Sequence, residues 1–469
     1  MSRKAQIVWT FAITSIALFM TTLDNLVVTT ALPTMQRDLH ASISGLEWTV
    51  NAYTLTFAVL LLLGAALGDR LGRKRVFLAG LGIFTFGSAA AALSPSIDWL
   101  IAARALQGVG GAIVTPLTLT ILSDAVPIER RGIALGLWGA VSGLGVALGP
   151  LVGGAVVQGL SWQWIFWLNV PIGLAVIPLG MLRLRESYGP PARLDVTGVG
   201  LITASALGLV WGLVRANSRG WTSPEIVLSL VAGVILLVAF VAWERRAREP
   251  MLPMRFFRNR TFAAANAASL LMFFGMFGSI FLLTQYLQNV QGNSPLEAGL
   301  RMLPWTGMPM IVAPIAGALT DRIGGRPLLV TGLALQATAL AWLAAITSPD
   351  VPYIDLVPPF VMAGVGMALF FAPVATVVLG AVRQQEAGKA SGANNAIREL
   401  GGVFGVAVLA SIFAHQGGYG SADMFTDGII PALWVGASVV GVGALAASLI
   451  PGRAAADIRV GDPALQGAD

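Results

Sequence analysis

Fourteen mostly apolar runs succeed one another along this 469-residue chain, most of them joined by short connections. They fall at approximately 8–32, 46–68, 76–94, 99–121, 133–157, 164–182, 196–214, 226–243, 262–287, 299–319, 327–347, 356–380, 394–415 and 428–450. Each is close to the roughly 20 residues that a helix needs to cross a bilayer. Inside hydrocarbon a segment must pair its own backbone groups, which a helix does and a lone strand cannot. The ten-residue alternation of a membrane barrel is absent from the sequence. Charged residues make up 11% of the chain, against about 25% in a soluble domain. No polar stretch is long enough to form a separate soluble lobe. The expected fold class is an all-α membrane protein with 14 transmembrane helices. Arg3 and Lys4 precede the first run as they would in a signal peptide. That run is too long, lacks a small-residue cleavage site and is followed by thirteen others, so a retained first helix is expected.

The same residues exclude several chemistries. There is no cysteine, which rules out disulfides, thiolate metal sites and Cys nucleophiles. His40 and His415 are too few for a His-built metal site. A phosphate-cradling loop needs GxxxxGK[ST], but Gly388-Lys389 is followed by Ala390, and Arg383 stands five residues before Gly388. Neither histidine is followed by Glu, so HExxH is absent. The expectation is a protein that is not an enzyme and holds no metal or cofactor.

Charge placement sets the orientation. Assigning alternate connections to alternate sides puts Arg3, Lys4, Arg70–Arg75, Arg130, Arg131, Arg183, Arg185 and Arg193 on one side. The basic cluster at 245–260, Arg322, Arg326, Arg383, Lys389, Arg453 and Arg459 join them, making 23 of the 29 Lys and Arg. The other side has Arg37, Arg215, Arg219 and Arg301, while Arg104 and Arg398 lie within runs. The positive-inside rule then places both termini in the cytoplasm. The net charge of +6 reflects this topology and anionic lipid headgroups, with no need for nucleic acid.

An internal repeat divides the chain. Ala66-Leu67-Gly68-Asp69-Arg70-Leu71-Gly72 returns 252 residues later as Ala318-Leu319-Thr320-Asp321-Arg322-Ile323-Gly324. Both copies fall on the same side with eight runs between them, so two halves of six runs keep one orientation if two further runs separate them. Parallel repeats of this size are a transporter plan. The expected domains are an N-terminal bundle over 1–190, two linker helices over 191–255, a C-terminal bundle over 256–455 and a cytoplasmic tail over 456–469.

Four motifs lie in order along the first half. Run 1 carries Leu23-Asp24-Asn25-Leu26-Val27-Val28-Thr29-Thr30-Ala31-Leu32-Pro33, and run 2 is followed by Gly68-Asp69-Arg70-Leu71-Gly72-Arg73-Lys74-Arg75. Run 4 contains Arg104-Ala105-Leu106-Gln107-Gly108-Val109-Gly110-Gly111, and run 5 contains Gly145-Val146-Ala147-Leu148-Gly149-Pro150-Leu151-Val152-Gly153-Gly154. With fourteen runs, the chain resembles the major facilitator superfamily, specifically its fourteen-helix drug:proton antiporter family. The resemblance spans all the runs and implies the major facilitator fold: two six-helix bundles plus two extra helices. The second copy of the loop motif departs from the pattern, with Gly325 and Pro327 in place of basic residues.

Asp24 is the most informative residue. A carboxylate within a span costs about 2.5–3.5 kcal/mol on insertion scales, and such groups mark ion pathways by default. From the same side it lies about 12 Å deep in run 1, and Arg104 about 8 Å deep in run 4, at 1.5 Å per residue. A basic neighbour favours the charged form of a carboxylate and desolvation the neutral one. A group held between these influences suits proton coupling; the competing reading is a static buried pair that fixes packing. The resemblance implies a proton-transfer role for Arg104.

Asp69 stands at the C-terminal, partly negative end of run 2, where an anion is disfavoured. It should seek Arg70, Arg73 or the N-terminus of a facing helix, while Gly68 and Gly72 permit the tight reversal. The resemblance places that helix in the opposite half, at run 13, and implies a latch that forms in one access state. Gly68, Asp69, Arg70, Gly72 and Arg73, with Asp321 and Arg322 of the second copy, are the gating candidates. A topology signal alone is the alternative, and it accounts well for Lys74 and Arg75.

Gly145, Gly149 and Gly153 recur every fourth residue and give run 5 a smooth face for close approach, while Pro150 bends it. Ordinary packing is sufficient as physics. The resemblance implies that this pattern, with Gly154, accompanies exporters and shapes the interface between halves. On run 13, Arg398 and Glu399 adjoin and so point about 100° apart, which is not a simple pair. Arg398 can snorkel to headgroups, and Glu399 is either structural or a second acid facing the cavity and available for proton coupling. Phe273, Phe274, Phe277, Gln285, Trp305 and Met308 offer aromatic, amide and thioether groups suited to apolar ring compounds. Asn25, Gln107 and Asn395 complete the substrate-cavity candidates.

The expected function is a proton-coupled secondary active exporter of amphipathic small molecules, an antiporter giving multidrug efflux by alternating access in the cell inner membrane. Its partners are that substrate, protons and membrane lipids, without nucleic acid, and the chain is expected to act as a monomer. A lipid or metabolite transporter, or a flippase of the same fold, is the alternative. Nothing in the sequence suggests the ring of filter groups that a channel requires.

Overall fold

A computed structural model describes residues 3–127, 131–189, 195–383 and 386–451. Arg130, Arg193, Arg453, Arg459 and the 456–469 tail lie outside the described residues, as do the side chains of Arg131 and Asp321. Among the described residues there is no strand. The helices are α1 (Arg3–Asp38), α2 (Ile43–Leu71), α3 (Arg73–Ala92), α4 (Ile97–Ala125) and α5 (Arg131–Gly159). Next come α6 in two pieces (Trp164–Trp167 and Asn169–Arg183), α7 (Val196–Arg219), α8 (Pro224–Glu244) and α9 (Arg260–Asn289). The last are α10 in two pieces (Pro295–Thr306 and Met308–Ile323), α11 (Gly325–Ile346), α12 (Tyr353–Gly380), α13 (Ala387–Gln416) and α14 (Ala422–Ser448). Among the described residues thirteen are long and apolar enough to cross a membrane; the remaining helix, α5, is 29 residues long.

Local chemistry sets the helix ends. The side chains of Ser42, Ser96 and Ser421 accept the backbone N–H groups of Gly45, Trp99 and Met424. Ser294 and Glu297 form a capping box at the start of α10. Gly72 closes α2 at φ 107° and Gly324 closes α10 at φ 82°, where a side chain would be strained. The repeat read in the sequence is therefore a repeated turn. Pro309 removes a backbone donor just after Gly307, where α10 breaks.

Helices α1 to α6 pack among themselves, as do α9 to α14, and α7 packs along α8. Only 17% of the apolar window of α8 is buried, against 83% for α9, so α8 presents its sides to lipid and α9 sits at the centre. The halves meet where α5 packs on α10 and α2 on α13, with α7 filling the groove beside α2 and α13. The loops after α2, α6, α8 and α10 form a basic face; the C-terminal ends of α1, α5 and α9 lie at the opposite face.

Helix α1 continues to Asp38, beyond the apolar run that ends at 32, because polar side chains do not interrupt backbone pairing. Asp24 is thus fourteen residues, about 21 Å, from that end rather than about 12 Å.

Candidate functional site

Five helices converge on Asp24, which is 1% exposed inside the N-terminal half. Its Oδ2 accepts from Arg104 Nη1 of α4 in a direct ion pair. Its Oδ1 accepts from Asn169 Nδ2 of α6 at 2.8 Å and Gln107 Nε2 at 3.2 Å. The guanidinium also donates to Gln107 Oε1 at 3.0 Å and to the Thr49 carbonyl of α2 at 3.3 Å. It lies 4.3 Å from the centroid of the Tyr53 ring. Ser88 of α3 accepts from both amides at 3.0 Å and donates to the Phe166 carbonyl at 2.9 Å.

The expected approach of Asp24 to Arg104 is present, and Gln107 belongs to this cluster rather than to a cavity wall. Asn169, Ser88, Tyr53 and Thr49 escaped the sequence reading. An amide inside an otherwise apolar run was the available signal for Asn169; Ser88 carried none. Protonating this carboxylate would leave a buried guanidinium without its counter-charge, and breaking a buried pair costs about 3–5 kcal/mol. The two opposite charges therefore hold this arrangement of helices together.

At the basic face, Asp69 pairs with Arg73 one turn on at 2.8 Å. Arg73 pairs also with Asp124 of α4. The segment after α6 closes over this turn: Gly189 N donates to the Asp69 carbonyl at 3.0 Å and Arg73 N to the Ser187 carbonyl at 2.9 Å. Lys74 N donates to Glu186 Oε1 at 2.8 Å. All these partners lie in the N-terminal half, and α13, which the resemblance suggested, is not among the recorded partners of Asp69 in this state. An arginine at i+4 lies closer to the negative helix end than any facing helix. Gly68 matters through proximity, since a Cβ there would lie 2.2 Å from Leu117 Cδ2 of α4. Arg70 and Arg322 are exposed. Asp69→Asn leaves Arg73 to Asp124 and is expected to shift the protein toward the state open on the basic face. Labelling of single introduced cysteines on the two faces measures this, and an unchanged pattern would reduce the loop to a topology signal.

The small face of α5 serves two neighbours. A Cβ on Gly145, Gly149 or Gly153 would come within 3.0, 2.7 and 2.2 Å of Thr22, Leu26 and Thr30, all on α1. These three glycines seat the helix carrying Asp24 within its own half. The contact between halves belongs to Gly154 and Pro150: a Cβ on Gly154 would lie 2.2 Å from the Pro295 carbonyl, and one on Gly299 would lie 2.3 Å from that of Pro150. Nearby, Leu296 N donates to Gln158 Oε1 at 3.3 Å and Gln288 Nε2 to the Thr30 carbonyl at 2.9 Å. The halves are closed together at the opposite face.

Arg398 does not reach for headgroups. Its guanidinium lies 4.4 Å from the Phe273 centroid and 5.2 Å from that of Phe371, and it donates to Asn395 Oδ1 at 3.2 Å. Phe273 stacks on Phe277 at 5.6 Å. Asn25, Met308, Asn395 and Glu399 are half-buried, and Asn25 Oδ1 and Glu399 Oε2 have no hydrogen-bond partner. Gln285 and Trp305 are fully buried inside the C-terminal half. Gln285 donates to the Phe281 carbonyl at 2.9 Å and accepts from Tyr419, while Trp305 packs on Phe360 with centroids 6.0 Å apart. Neither lines an open space in this state.

Among the described residues, fourteen helices pack as two halves around a buried acid–arginine cluster, an architecture of the membrane-transporter class. Residues 14–406 match the sequence family described as the Major Facilitator Superfamily, and the chain belongs to it. It is 35% identical over 415 residues to the tetracenomycin C resistance and export protein of Streptomyces glaucescens, covering 88% of this chain and 76% of that one. It is 37% identical over 407 residues to the multidrug resistance protein Stp of Mycobacterium tuberculosis strain CDC 1551 / Oshkosh, covering 86% and 75%. The crystal structure of an auto-inhibited POT family peptide transporter superposes with a TM-score of 0.71 at 16% identity, covering 95% of this chain and 96% of that one. That last likeness is one of fold.

Proposed function

We propose that this protein is a proton-coupled exporter of amphipathic small molecules, an antiporter of the drug and antibiotic efflux kind, working by alternating access. The observation that carries the reading is the sealed Asp24–Arg104–Gln107–Asn169 cluster. Resistance and export relatives supply the direction of transport. In the proposed cycle, Asp24 takes a proton when the halves open at the opposite face. Arg104 then loses its counter-charge, the five-helix cluster rearranges and the proton leaves at the basic face. The basic face is the cytoplasmic one and both termini lie there, in the inner membrane. The protein acts as a monomer, with the proton gradient as its only energy source and no cofactor.

One proton crossing about 100 mV releases about 2.3 kcal/mol. At about 1.4 kcal/mol per tenfold ratio, this sustains roughly a 50-fold gradient of a neutral compound, so one carboxylate is sufficient. Proteoliposomes given an imposed proton gradient and a panel of dyes, antibiotics and lipids test the proposal. Gradient-dependent movement of the dyes or antibiotics is expected. Movement of lipids alone would make the protein a flippase, and uptake in the reverse direction would make it an importer.

A further inference from the structure

Helix α2 carries another buried acid that the Asp24 cluster does not use. Glu47, in the second turn of α2 from the opposite face, is 2% exposed, and its Oε2 has no hydrogen-bond partner. One turn deeper on the same side of the helix, Asn51 is fully buried with both amide atoms unpartnered. This polar strip lies at the junction of the halves. Further along the same side of α2, Leu55 and Val59 pack in one apolar cluster with Val403 and Ala407 of α13. Glu47 also lies within electrostatic range of Tyr419, in the connection between α13 and α14.

No cation among the described residues compensates Glu47. Arg104 of α4 touches α2 at Thr49 but gives its ion pair to Asp24. Arg215, near the end of α7, pairs with Glu225, and His415, near the end of α13, is exposed. Glu399 of α13 acts further down, at Tyr53. Burial pushes the Tyr419 phenol well up, so it remains a neutral hydrogen-bonding group. The positive end of the α2 dipole favours a charge on Glu47, but that effect falls off within the first turn. An ionised carboxylate sealed here without a counter-ion bears a desolvation penalty that the open interface does not impose.

We propose that Glu47 is a further proton-coupling residue: it takes up a proton from the solution at the opposite face before the halves close over it. Closure and protonation are then linked, because the closed state binds that proton more tightly than the open one. The bond formed is the carboxyl O–H, with the proton drawn from external water. Acidifying the outside thereby favours the state in which Pro295 sits against Gly154. The inference rests on the antiporter reading and adds a residue to it.

The chain has no cysteine, so a Gln158→Cys/Leu296→Cys pair treated with a bifunctional thiol reagent reports closure, each yield being divided by the labelling of the single-cysteine variants at the same pH to remove the pH dependence of thiolate formation. The test uses the full-length protein in proteoliposomes, without substrate, across an external pH series. Cross-linking with Glu47 present is expected to fall about tenfold from acidic to alkaline pH, the ratio equivalent to about 1.4 kcal/mol. In an E47Q background it should stay high throughout. E47A serves as a second variant if E47Q does not assemble. A pH response as steep in either variant as in the parent overturns the proposal. Because no transport is measured, this failure is separable from failure of the antiporter reading, which only the gradient-driven assay can produce.

Discussion

Replacing Asp24 by Asn is expected to abolish efflux driven by a pH gradient while leaving expression intact. The amide keeps the shape of the carboxylate but cannot carry a proton through the cycle, and it leaves Arg104 buried without a counter-charge. Loss of one member of such a pair costs about 3–5 kcal/mol, so a lower thermal midpoint should accompany the transport defect. A second variant separates coupling from packing. Asp24→Asn combined with Arg104→Gln removes both charges and should recover much of the stability, yet gradient-driven transport should remain absent. Recovered transport in that double variant, measured as dye efflux from vesicles, would assign the pair to packing alone.

Gly154→Val should be nearly as damaging by a different route. Its Cβ would fall 2.2 Å from the Pro295 carbonyl oxygen and 2.7 Å from Leu296 Cα, which are backbone atoms that cannot step aside. Overpacking typically costs about 1–3 kcal/mol, which corresponds to a closed state roughly 5- to 150-fold rarer. The protein should assemble, remain open at the opposite face, lose the cross-link between cysteines at 158 and 296 and stop turning over. Gly159→Ala on the same helix is the control, because nothing lies within 4 Å of an added Cβ there. Equal transport by the two variants would show that closure at α5 and α10 is not part of the cycle.

Several sequence inferences survive in three dimensions because they concern chemistry that acts locally. Gly72 and Gly324 both adopt positive φ, as a tight turn between two long helices demands. Asp24 and Arg104 meet because each is expensive to bury alone, and the partner of opposite sign offsets that penalty. Other residues have surroundings that the sequence does not show, because their partners are distant along the chain. Gln107, Gln285 and Trp305 look like cavity groups as side-chain types, but each is sealed by neighbours that periodicity does not identify. The resemblance suggested a latch between Asp69 and the other half. In the structure Arg73, Asp124 and the 184–189 segment take those positions.

Hydropathy and charge by themselves determined the number of helices, their alternation and the even spacing of the repeat, because hydrocarbon tolerates neither unpaired backbone nor stray charge. Which polar groups face one another was decided only by packing. Asn169 and Asp24 are 145 residues apart in the chain yet 2.8 Å apart in the bundle. The isolation of Glu47 is likewise a property of the closed interface: solvation depends on what surrounds a side chain, and only the assembled helices supply those surroundings.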